Sequence, residues 1–208
     1  MSVNKVLSHH LDFAELLFSF SYYSDLFYFS VFRDRKSKLS EENKYHLYLQ
    51  FMNEYGIHRN ITSEGKLKFF PKLLSLQKKP IQIDDFETVI NELKNFYPQH
   101  KGNKKAGIPI SLTSKLLMLI KPEIFIPYDR FNCHAIKYHG KSYTDFLSAV
   151  NLFKQTNIEA LEKLMNRIEK TATQVENCFE PKNFSNIEMV RKNRVLDKLM
   201  LAVGQKGN

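Results

Sequence analysis

"AGIPISLTSKLLMLIKPEIFIPYDRFNCHAI", residues 106–136, is the stretch on which the fold reading turns. Gly107-Ile108-Pro109 reads as a tight turn, and Ser111 is placed to cap a short helix from Leu112 to Ile120 that Pro122 stops. Residues 123–128 read as an extended apolar connector, and another helix runs from about Asp129 to Tyr138. The unit is therefore helix, tight connection, helix, with no alternating apolar and polar run that would suggest a strand.

The same helical grammar holds on either side. Toward the N-terminus, Val6, Leu11, Phe13, Leu16, Leu17, Phe20, Tyr23, Phe27 and Val31 recur at helical spacing, with a break expected near Ser21. Ser40 should cap a helix ending at Tyr55, with Gly56 at the left-handed position after it. Ser63 should open a helix bent or ended near Pro71, and Asp84 with Glu87 should form a capping box for one reaching Phe96. Toward the C-terminus, Ser142 with Asp145, Asn157, and Ser185 with Glu188 mark three more starts. About nine helices result, with no repeat and no strand pair. The nine aromatic residues between Phe13 and Phe32 are read as core.

Only 7 Gly and 7 Pro interrupt 208 residues, which agrees with an all-α chain. The polar run 99–105 is the clearest boundary, giving an N-terminal helical lobe 1–98 and a hairpin-containing lobe 99–208, or one integrated domain. Two cysteines, Cys133 and Cys178, are too few for a disulfide framework and suit a reducing compartment. The early apolar run is broken by serines and Asp25 and makes a poor membrane span, so a cytoplasmic protein without membrane attachment is the expectation. His134 and His139 lack partners at ligand spacing, so no metal or other cofactor is expected.

A net charge of +9 speaks about partners. Between residues 101 and 141, eight cations (Lys101, Lys104, Lys105, Lys115, Lys121, Arg130, Lys137 and Lys141) face only Glu123 and Asp129. Such clustering favours phosphate backbones through counterion release, which makes nucleic acid the expected partner. Arg191, Lys192, Arg194 and Lys198 in the last helix suggest a second phosphate-facing strip.

Residues 106–136 also resemble the helix-hairpin-helix DNA glycosylases, especially their 8-oxoguanine branch. The match rests on a Gly-containing hairpin between two helices, then an apolar connector delivering an Asp to a helix start in a "VPVD"-like string, here "IPYD" at 126–129. The resemblance implies a two-lobed helical domain with a groove between lobes, acting as a monomer on double-stranded DNA. It implies base excision, with Asp129 stabilising the oxocarbenium-like sugar or activating water. It further implies backbone contacts to DNA from Gly107, Ile108, Ser111 and Thr113, beside the cations Lys101, Lys104, Lys105 and Arg130. An everted base would meet Tyr128, Phe131, His134 and Tyr138.

Two departures stand out. Pro109 replaces the second hairpin Gly and removes an N–H, and no Lys occupies the family's nucleophile position between residues 109 and 111. Lys115 is the nearest candidate amine, as nucleophile or phosphate contact; without it the enzyme would release a base and leave the strand whole. The excised base, an oxidised purine or a hypermodified viral one, is not fixed by these residues, and neither is a role in repair or antiviral defence. Two other readings stand beside this one. The first is a non-catalytic DNA-binding helical module; the second is a toxin-like nuclease or defence effector.

Overall fold

A computed structural model describes residues 3–33, 39–93, 100–101, 104–105, 109–180, 184 and 186–205, with the backbone alone at 100–101 and 104–105. Among the described residues the protein is all-helical apart from a two-residue antiparallel ladder, His100–Lys101 with Lys104–Lys105. The helices are α1 (Ser8–Arg33), α2 (Glu41–Glu54), α3 (Ser63–Gln77), α4 (Phe86–Leu93), α5 (Ile110–Ile120), α6 (Arg130–Ala135), α7 (Tyr143–Thr156), α8 (Ile158–Glu176) and α9 (Ile187–Gly204). None of the described helices is long and apolar enough to cross a membrane.

The chain divides into two compact units: residues 1–27 with 126–208, and residues 28–125. The expected boundary at 98/99 thus falls inside the second unit. In that unit α2 packs on α3, and α3 and α4 pack on α5. Phe51, Phe69, Leu73, Ile90, Leu112 and Leu116 are among its buried side chains. In the first unit α9 packs along α6 and α8, and α8 also meets α7. Phe146, Phe153, Leu164, Ile168, Val195 and Leu199 are buried there.

Several helix starts follow local chemistry. Ser40 accepts a hydrogen bond from the Asn43 N–H, Ser142 accepts one from Asp145, and Gly56 takes the left-handed φ of 66° expected after α2. Others shift by a residue or two. Helix α3 does open at Ser63, with Thr62 as its cap through the Gly65 N–H, and it does not end at Pro71 but runs on to Gln77, with Leu73 and Leu76 buried. A 3₁₀ turn, Ile83–Asp85, leads into α4, with the Asp85 carboxylate accepting from the Gln82 N–H in place of the expected Asp84 and Glu87 pair. Helix α5 starts at Ile110 after Pro109, so Ser111 lies in its first turn without capping it. The expected extension of α4 to Phe96 lies outside the described residues, as does Ser185, and Asn186 caps α9 through the Met189 N–H.

Two expectations about α1 are corrected. The helix is continuous through Ser21. Its aromatic run is core only in part: Phe18, Tyr22, Tyr28, Phe29 and Phe32 are buried, whereas Tyr23 and Phe27 are exposed and Phe20 is 79 % exposed.

Candidate functional site

The connector reaches Asp129 under restraint. Ile126 donates its N–H to the Tyr143 hydroxyl (3.0 Å), and that hydroxyl donates to the Ile126 carbonyl (2.8 Å). Asp129 then adopts an extended backbone, φ −140° and ψ 173°, as the N-cap of α6. Its Oδ1 accepts from the Asn132 N–H at 2.9 Å, and the side chain is half-buried. A helix N-terminus carries partial positive charge, so this place favours a carboxylate. Helix α6 is shorter than expected because Lys137 takes a left-handed φ of 52° and ends it. Arg130, Lys137 and Lys141 are exposed and take part in no ion pair among the described residues.

Behind Asp129 lies a cluster that the sequence reading missed. Arg194, 1 % exposed, donates from Nε to Asp25 at 2.8 Å and pairs through Nη1 with Asp197 at 3.0 Å. Asn132 donates from Nδ2 to Asp197 Oδ1 at 2.8 Å and to the Pro127 carbonyl at 2.9 Å. The Lys198 amine lies 3.8 Å from Asp197. Burial lowers its pKa first, Arg194 adds to that, and the charges of Asp25, Asp197 and Asp129 act in the opposite sense. The available signal was Arg194 just ahead of the apolar run 195–203, with Asp197 and Lys198 three and four residues on, inside it. Charges on that face must be buried and therefore need partners.

The same cluster overturns the idea of a phosphate-facing C-terminal strip. Arg194 and Lys198 are buried, Arg191 is hydrogen-bonded to Glu176, and Lys192 pairs with Glu188.

The other predicted site residues divide. Lys115 belongs to the unit 28–125 and Asp129 to the other. The Lys115 amine donates to the Tyr55 carbonyl at 3.0 Å, at the C-cap of α2, where a cation is favourable. Thr113 is fully buried, and its hydroxyl has no hydrogen-bond partner among the described residues. Ser111 is partly exposed, and its carbonyl accepts from Ser114. Gly107 and Ile108 lie outside the described residues, as do the side chains of Lys101, Lys104 and Lys105.

Of the proposed base contacts, Tyr128 and Tyr138 meet edge to face with ring centroids 6.2 Å apart, and both pack on Phe146. Their hydroxyls bind the loop ahead of α7: Tyr128 donates to the Gly140 carbonyl, and Tyr138 donates to that of Ser142. Phe131 instead lies beneath the Arg130 guanidinium at 4.9 Å, and His134 sits in the last turn of α6. Burial pushes the neighbouring Cys133 thiol up to about 11, so it is no nucleophile near neutral pH.

No group of three or more candidate metal ligands occurs among the described residues. A groove of about 350 Å³ opens between α8 and α9, lined by Leu161, Met165, Met189 and Leu196; Lys192 is on its wall, and neither Asp129 nor the proposed base contacts line it. Comparison with models of known protein families, with curated proteins and with solved structures finds no match.

Proposed function

We propose that the protein is a DNA glycosylase that flips a damaged or modified base from duplex DNA and hydrolyses its N-glycosidic bond at Asp129. The observation that carries this reading is a half-buried carboxylate fixed at a helix N-terminus on a segment that also exposes Arg130, Lys137 and Lys141. The cations hold the phosphate backbone. The carboxylate faces the cationic sugar of the transition state or takes a proton from the attacking water.

Lys115 is excluded from the chemistry in this proposal because its amine serves the end of α2. Lys198 is buried and supplies positive charge behind Asp129 without meeting the sugar. The enzyme therefore releases a base and leaves an abasic site with the strand intact. Monomeric action, and the two-lobed arrangement with a groove that the resemblance implies, belong to the same proposal.

A plain DNA-binding module is the second reading, favoured by the cap itself, since the Asn132 bond already gives Asp129 a structural purpose. One experiment separates the two. Purified protein is incubated with duplexes carrying 8-oxoguanine and with viral DNAs rich in modified bases, and free bases and abasic sites are measured by mass spectrometry. Asp129→Asn keeps the capping oxygen, so folding and DNA binding should persist while release falls by roughly a hundredfold or more. Undiminished release in that variant sinks the catalytic assignment, and no release from any DNA leaves the binding module.

A further inference from the structure

We propose that Asn132 is a positioning residue for Asp129, fixing the carboxylate from both sides; this rests on the catalytic reading of Asp129 above. Asn132 stands three residues after the N-cap, and its backbone N–H holds Asp129 Oδ1 at 2.9 Å. Its side chain turns back to the Pro127 carbonyl, two residues before Asp129, at 2.9 Å. The chain on each side of the carboxylate is thereby tied to one residue. The same amide nitrogen donates to Asp197 on α9 at 2.8 Å, and Asp197 is held by Arg194, itself bound to Asp25 on α1. A reactive group can be no better placed than what holds it, and here the holder is anchored to two further helices.

The orientation of the Asn132 amide is settled by its neighbours. Pro127 O and Asp197 Oδ1 are both acceptors, so only the two N–H groups of Nδ2 can face them. Asn132 Oδ1 is left with no hydrogen-bond partner among the described residues, on a side chain that is fully buried. A residue serving only to pack α6 against α9 would avoid that unsatisfied acceptor, as leucine would. Asparagine keeps it in exchange for two donors aimed at the connector and at α9.

The test uses two variants of the full chain. Asn132→Leu removes both donors while keeping an apolar filling. Asn132→Asp combined with Asp197→Asn reverses the link to α9 at constant cluster charge but leaves no donor for Pro127. In both, kcat for base release should fall at least tenfold, with DNA affinity within about twofold of wild type. In the exchanged pair, thermal stability should recover toward wild type while kcat stays low, a split that a purely structural role does not produce.

Hydrogen exchange of the backbone amide at position 132 reports the hold on Asp129 without any turnover. It should quicken about tenfold in Asn132→Leu. Unchanged exchange there overturns the positioning role, whether or not the wild type releases a base. Quickened exchange in a protein that releases no base retains the positioning role and removes the glycosylase reading instead.

Discussion

Replacing Arg194 by Met tests whether the buried cluster under α6 is held by charge. In the native protein one guanidinium, 1 % exposed, serves Asp25 at 2.8 Å and Asp197 at 3.0 Å. Met fills much of the same volume but takes the guanidinium from buried Asp25 and leaves Asp197 only the more distant Lys198 amine as its cation, 3.8 Å away. Breaking a buried pair in this way costs about 3–5 kcal/mol, well above the ~1 kcal/mol ceiling of an exposed pair. For a chain of this size that corresponds to a melting temperature lower by roughly 10 °C. The assay is thermal unfolding at neutral pH followed by far-UV circular dichroism, with Asp25→Asn/Arg194→Met alongside, in which Asp197 stays to face Lys198. Removing the stranded Asp25 charge should return at least half of the lost stability, because most of the penalty is desolvated carboxylate rather than lost packing. A loss below about 1 kcal/mol for Arg194→Met, or a double variant no better than the single one, would refute the reasoning.

Other expectations follow from single contacts. A Cβ at Gly204 would sit 1.9 Å from the Phe131 carbonyl oxygen, so Gly204→Ala must push α9 off α6, and a loss of at least about 1–3 kcal/mol should appear in urea unfolding. Cys178 is exposed while burial pushes the Cys133 thiol up to about 11, so a thiol reagent at mildly alkaline pH should titrate one cysteine at once and the second only on denaturation. The Lys198 pKa lies below the ordinary 10.5 because of burial, so the folded state holds that proton less tightly than the unfolded chain. Native stability therefore rises with pH in the window up to 10.5, and the stability difference between wild type and Lys198→Met should grow in the wild type's favour from neutral pH toward that value. A flat or opposite trend in denaturant titrations contradicts this.

Features written within four or five residues were the legible ones. Ser40 and Ser142 as caps, Gly56 after α2 and Asp129 at the head of α6 each depend on a side chain meeting a backbone group in its own turn. Reading failed where tertiary burial outweighed a local signal. Pro71 carries no N–H and allowed either a bend or an end; the helix does not end there, because Leu73 and Leu76 are buried on the far side. Ser21 interrupts the hydropathy of α1 without interrupting the helix, since Phe18, Tyr22 and Leu26 keep one buried face in register across it. The cap of α5 was misplaced because the helix begins directly after Pro109, whose fixed φ suits a helix start without any side-chain bond.

The candidate site shows the same limit more sharply. Charge along 101–141 and the string at 126–129 pointed to Asp129, but the groups that surround it come from residues 25, 132 and 194–198, which only folding brings together. Their presence changes what the cap means. A lone N-cap aspartate needs one N–H and is satisfied by water on its other side. Asp129 is instead held on a short helix whose connector, third residue and packing partner α9 are joined by buried hydrogen bonds, with two cations sealed behind it. Burying Arg194 and Lys198 stabilises a six-residue helix poorly compared with apolar side chains of equal volume. The two cations are balanced by Asp25 and Asp197, so the cluster fixes the helix head without cancelling the negative charge that Asp129 would offer a developing sugar cation. That asymmetry between what stability needs and what the cluster contains is the physical reason to test Asp129 as a reacting group before treating it as a helix stop.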